Sequence, residues 1–299
     1  MYKTFYLLVL MALTAMVAGC GAGDQSAPVK PNVVVSIKPL ALMAQDLAGE
    51  DFTVHTLGSG SSDPHAQAMT ITDRAVLARA DLVVWLGPNF ERFLAKSMSS
   101  AKQAQLQLGL EAGMQWPGDA GADLHLWLNP NNIAVAYRAL AQQLVLIKPA
   151  AADVIAARLT AQLAATAQAQ AHIELQLAPF KQEPFAVSHD GFGHFVQAFG
   201  LNQRAAATRL PEEQLSVRRM AELNHMLKNA KCLLVEPHDH HGHKLANSIS
   251  LPEVTVDVLG RDESIHSLPL LLQSVAASLV ECFTAPSVVN HAVDHHDHD

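Results

Sequence analysis

Charged residues are scarce, 16% of 299, and lysine plus arginine (20) are outnumbered by aspartate plus glutamate (28). A net charge of −8, with no basic stripe interleaved with aromatic residues, argues against a nucleic-acid partner and in favour of small cations. Long apolar runs are missing too. The one at the N-terminus, Phe5 to Val17, is too short to span a bilayer comfortably. Cysteine occurs three times and never with CxxC spacing, so a cysteine-built metal site has little support. The hydrolase signatures HExxH, HxxEH and GxSxG are absent, and no internal repeat period appears. What is there is a chain 49% hydrophobic, long enough for two domains with substantial cores.

The N-terminus has the layout of an export signal: one lysine, Lys3, then the apolar run, then small residues. Val17-Ala18-Gly19-Cys20 resembles the bacterial lipobox, in which the cysteine is lipidated and opens the mature chain. Residues 1–19 are therefore expected to be a signal peptide and 20–31 a lipidated tether rich in Gly, Pro and Ser. The other two cysteines, Cys232 and Cys282, are bound for an oxidising compartment, where a disulfide is their simplest assignment.

From residue 32 on, β-branched runs alternate with helical patterns, which predicts an α/β fold with parallel-rich sheets. Strands are expected at 32–37, 52–57 and 81–87, and in a second series at 184–189, 230–237 and 254–260. Helices are expected at 41–48, 72–80, 191–199, 213–228 and 264–282. The two series form similar lobes, 32–147 and 181–284. Between them, 148–180 holds Pro149 in a first turn and then neither glycine nor proline until Pro179, which predicts one long rigid linking helix. Residues 285–299 are a His/Asp-rich tail.

Ligands of α/β sheets bind beyond the carboxyl ends of strands. Four metal-capable residues are expected there: His65 in the Gly/Ser loop after the second strand, His125 ahead of a helix beginning near Pro130, His189 ending "PFAVSH", and Asp257 in "VDVLG". They lie far apart in sequence, so only a fold could assemble them. Taken singly, each histidine is as readily a hydrogen-bonded loop or core residue, and Asp257 a turn or helix-cap residue; only together, with a carboxylate or water, would three neutral imidazoles suit Zn²⁺. Asp123 or Asp190 is placed to orient a ligand imidazole. The denser cluster His238, His240, His241 and His243 is expected to be flexible, because ordering it costs roughly 1–2 kcal/mol per residue. It reads as an auxiliary, weak metal site at the rim of the cleft.

The run "SSDPHAQAMTITDRAVLARADLVVWLGPNFERFL", with "DLHLWLNP", "SHDGFGHF", "CLLVEPH" and "VDVLG" following in order, is similar to the zinc-binding members of the metal-specific solute-binding proteins of ABC transporters, the ZnuA-like family. The resemblance implies two α/β lobes with a metal site in the cleft between them. It implies His65, His125 and His189 as ligands, a carboxylate ligand at Asp257, and a disulfide between Cys232 and Cys282. Val258 stands where that family has proline, His238 where it often has glutamine. Only "WPGDAGAD" occupies the stretch before His125 that carries a long His- and acid-rich loop in many relatives. The expected function is an extracytoplasmic zinc receptor, monomeric and not an enzyme, anchored to a bacterial membrane through Cys20 and serving an ABC permease. The alternatives are a manganese or iron receptor of the same fold, a secreted zinc hydrolase, and a His-rich metal-buffering surface protein.

Overall fold

The structure, a computed structural model, describes residues 29–58, 67–118, 123–209, 213–227, 229–237, 239–249 and 251–286, without the side chains of His240 and His241. The export signal, Cys20, His65, His238 and all but the first residues of the tail lie outside them.

Each half contains a four-stranded parallel sheet. The first comprises β1 (Asn32–Val35), β2 (Thr53–Thr56), β3 (Leu82–Trp85) and β4 (Ala104–Gln107), in the order β2-β1-β3-β4. The second comprises β5 (Pro184–His189), β6 (Asn202–Thr208), β7 (Leu233–Val235) and β8 (Glu253–Thr255), in the order β6-β5-β7-β8. All registered pairs are parallel. Central strands read as unbroken apolar runs because both faces are covered: Leu82 to Trp85 is buried at every position. The covering helices are α1 (Lys38–Ala48), α2 (Ile71–Leu77), α3 (Arg92–Ser99), α4 (Pro130–Ile147), α6 (Gly193–Phe199), α7 (Val217–Met226), α8 (His240–Ile249) and α9 (Leu268–Thr284). Between the halves runs α5 (Ala152–Leu177), flanked by short 3₁₀ turns.

At 26 residues, α5 is about 39 Å long. It packs on α4 of the first half and α9 of the second. Arg158 pins its early turns to the first half, with Nη1 donating to the carbonyls of Leu47 and Ala48 at the end of α1 and to Asp51. Its last turns bury Ile173 and Leu177. One apolar core runs without a break from Val33 and Leu47 through Phe90, Trp127 and Phe192 to Phe185, Leu234 and Phe283. The halves are thus joined by packed side chains as well as by the helix, which favours small relative motion over wide opening.

Two strands escaped the sequence reading. Both β4 (AQLQ) and β6 (NQRAAAT) are edge strands whose open sides carry polar or small residues, so neither shows a β-branched run. The expected strand 254–260 stops at Thr255 because the chain turns: Gly260 adopts φ +62° and its N–H donates to the Asp257 carbonyl. The histidine run expected to be flexible is largely helical instead. Residues His240–Ile249 form α8, and buried Asp239 accepts from the Gly242 N–H at 2.8 Å. Gly242 lets α8 sit down on the sheet, since a β-carbon there would lie 2.7 Å from the Ser188 β-carbon.

Cys232, just before β7, and Cys282, in α9, form a disulfide, and both are fully buried. It closes a 50-residue loop and ties the second sheet to its helical cover. Replacing both cysteines by serine should lower unfolding free energy by about 2–4 kcal/mol. Denaturant midpoints of the variant and of the oxidised parent measure this; equal midpoints would contradict it.

Candidate metal site

In both sheets the strand order reverses direction beside the first strand of the half, and crevices form at the carboxyl ends there. In the first sheet the crevice between β1 and β3 is filled by Glu91, which is fully buried. Its carboxylate accepts from the Ser36 hydroxyl at 2.5 Å and from the N–H groups of Leu86 and Gly87. Burial pushes the Glu91 carboxyl above its ordinary pKa, against these hydrogen bonds. In the second sheet the same crevice carries His189 at the end of β5 and Glu236 just past β7.

His125 reaches this region from the segment ahead of α4. Oδ1 of Asp123 accepts from both the backbone N–H of His125 (2.9 Å) and its ring Nδ1 (2.8 Å). A carboxylate only accepts, so in the neutral ring the proton sits on Nδ1, and Nε2 is the atom whose lone pair suits a metal. Phe90 and Trp127 flank the ring, with centroids at 5.3 and 5.1 Å. His189 repeats the scheme from the other half. Its Nδ1 stands 3.0 Å from Oε1 of Glu236, at ion-pair distance without the alignment of a hydrogen bond.

The two rings meet with centroids 5.4 Å apart. Gly191 packs against both rings: a β-carbon there would fall 2.5 Å from Nε2 of His189 and 2.9 Å from Nε2 of His125. Two imidazole nitrogens from opposite halves therefore look onto one small space that only glycine leaves open. Among the described residues, no group of three His, Cys, Asp or Glu side chains is arranged to hold a metal.

Asp257 is placed differently. Its carboxylate accepts from the N–H groups of Leu259 (3.2 Å), Arg261 and Asp262 (3.2 Å), and Arg261 Nη1 lies 3.3 Å away. Arg261 also faces Glu236, at 3.6 Å. The loop carrying these residues is clamped from the first half: the buried Trp127 Nε1 donates to the Val258 carbonyl at 2.7 Å, and Lys38 Nζ to the Asp262 carbonyl at 2.8 Å. His243 pairs with Glu253 at 2.6 Å, at the start of β8 and in register with Leu233. Of the two aspartates considered as orienting groups, Asp123 touches a candidate ligand. The Asp190 carboxylate accepts no hydrogen bond from either ring, and burial raises its pKa, with Asp123 adding to the rise.

Sequence reading missed Glu236, Gly191 and Arg261. Glu236 was within reach, since it directly follows a buried apolar strand. Gly191 and Arg261 were not, because nothing local distinguishes them from turn and surface residues.

Burial of Asp123 opposes its ionisation, but the hydrogen bond and charge of His125 outweigh this and bring its pKa down to about 2. Burial likewise disfavours a charged His125, yet Asp123 holds the ring above the ordinary histidine pKa. Burial pushes Glu236 up to about 7 against the pull of His125 and Arg261. A metal at Nε2 competes with the second proton of the charged His125 ring, so apparent affinity should fall by about tenfold per pH unit for each proton displaced once pH drops below that raised pKa. Asp123→Asn should weaken zinc binding about 10–100-fold near neutrality and move the onset of acid loss to lower pH. Competition titrations from pH 5 to 8 measure both, and a parallel pH profile in the variant would refute the assignment. Gly191→Ala should cost a similar factor, about tenfold or more, with little change in melting temperature. Wild-type affinity in a folded Gly191→Ala protein would show that the metal lies elsewhere.

Residues 33–282 match the family described as zinc-uptake complex component A, periplasmic. A high-affinity zinc uptake system protein ZnuA from Haemophilus ducreyi is 26% identical over 291 residues, covering 85% of this chain and 93% of its own. Its namesake from Yersinia pestis is 27% identical over 238 residues, covering 69% of this chain and 75% of its own. Among solved structures, a zinc-bound ZnuA carrying a deletion of its residues 138–173 superposes with a TM-score of 0.75 at 22% identity, over 86% of this chain and all of that one. The periplasmic zinc-binding protein TroA of Treponema pallidum gives 0.74 at 17%, over 85% and 99%. These two share the fold, and the match across 33–282 shows that the chain belongs to the zinc-uptake complex component A family.

Proposed function

We propose that the protein is an extracytoplasmic receptor that captures Zn²⁺ between its halves and delivers it to the permease of an ABC transporter. The observation that carries this reading is the convergence of His125 and His189 on the space over Gly191, each with a carboxylate at Nδ1. His65, from the loop after β2, supplies the third imidazole. Asp257 or water fills the fourth position; Asp257 would have to exchange its contacts with Arg261 and the loop amides for the metal. Three imidazoles favour zinc over manganese, which prefers more oxygen donors. The task is binding rather than turnover.

No helix among the described residues is long and apolar enough to cross a membrane. Export, lipidation at Cys20 and a tether through residue 31 place the protein on a bacterial membrane surface as a monomer. Lobes 32–147 and 181–284 act through the linking segment 148–180, and the tail 285–299 with His238, His240, His241 and His243 gathers zinc weakly.

Calorimetric titration of the chain from residue 25 onward tests the reading. A high-affinity zinc phase should disappear in the His65→Ala, His125→Ala, His189→Ala triple variant. It should survive deletion of 291–299 combined with replacement of His238, His240, His241 and His243. The opposite pattern would make the protein a His-rich metal buffer.

A further inference from the structure

His194, the second residue of α6, is completely buried. Its protonation can be read from its neighbours. The Gln115 N–H donates to Oδ1 of Asn132 at 2.7 Å, which fixes that atom as the amide oxygen. Nδ2 of Asn132 is then the donor, to the Gln115 carbonyl at 3.0 Å and to Nδ1 of His194 at 3.1 Å. His194 Nδ1 must be bare, and its proton lies on Nε2, which donates to the main-chain carbonyl of Asp123 at 2.9 Å. Asp123 in turn grips His125 by backbone and ring. The contact is close all round: a β-carbon on Gly193 would stand 2.9 Å from Oδ2 of Asp123, and Gln197 donates to the Trp116 carbonyl at 2.8 Å.

We propose that His194 is a positioning residue for metal capture: a neutral histidine of the second half that, through Asp123, holds the His125 ring of the first half in its ligating orientation. The proposal rests on His125 being a zinc ligand. It also gives the docking of α6 a function, because the second half then sets the aim of a ligand it does not carry. Histidine suits the position because one rigid ring offers an acceptor to Asn132 on one side and a donor to Asp123 on the other. A phenyl ring of similar volume offers neither and leaves two buried polar groups unpaired.

A double-mutant cycle on zinc affinity tests this in the full-length chain. His194→Phe alone should weaken zinc binding about 10–100-fold. On an Asp123→Ala background it should add less than about twofold, because the effect passes through Asp123. Wild-type affinity in His194→Phe, or a loss that multiplies in full onto Asp123→Ala, would overturn the proposal. Nitrogen-15 NMR of the unaltered chain needs no variant to fold: at neutral pH, His194 should be the neutral Nε2–H tautomer with and without zinc. A charged ring or an Nδ1–H tautomer would overturn it equally. His125→Ala separates the two levels of inference. Undiminished zinc binding there defeats the site itself, whereas loss there with none in His194→Phe defeats only the role of His194.

Discussion

Two imidazoles carried by different halves of the chain, His125 and His189, are held ring to ring, and much of the structure serves that constraint. A histidine in water turns freely and exchanges its proton between two nitrogens. Here the Asp123 carboxylate accepts a hydrogen bond from Nδ1–H of His125, and Glu236 stands at Nδ1 of His189. The Nε2 atoms of both rings then lie close to Gly191. Removing a carboxylate would free a ring to swing or to swap tautomer, and ordering it again would be charged against each binding event.

Holding both rings at once requires that the halves not drift. The apolar core is continuous across them, and α5 packs against both. Polar contacts add direction to this rigidity. Trp127, two residues beyond His125, donates to the Val258 carbonyl, and Lys38 holds the same loop at Asp262. Arg261 on that loop faces Glu236, which faces His189. The path from His125 to His189 thus runs through packed, hydrogen-bonded and ion-paired groups. A site held this way owes less ordering on binding, because its groups are already placed.

Legibility in the sequence varied with how local the cause of each feature is. Central strands such as Leu82 to Trp85 announced themselves because burial on both faces demands apolar residues throughout. The linking helix was visible because the 29 positions from 150 to 178 avoid glycine and proline. Edge strands β4 and β6 were hidden, since an edge needs only one partner and tolerates polar or small residues. The histidine run misled for the opposite reason: its composition suggests flexibility, but Asp239 caps it and Gly242 seats it on the sheet as α8.

The sequence by itself determined the α/β alternation, the two halves, the cysteine pair and the candidate ligands, because periodicity, compartment and residue chemistry act within short windows. It also placed His125 and His189 where a sheet delivers its ligands. Only the tertiary structure decided which groups surround them: Asp123 on one ring, Glu236 on the other, Arg261 between Glu236 and Asp257, and His194 reaching across to Asp123. Those choices depend on distances between residues far apart in the chain. Composition carries no record of such distances until the core has packed.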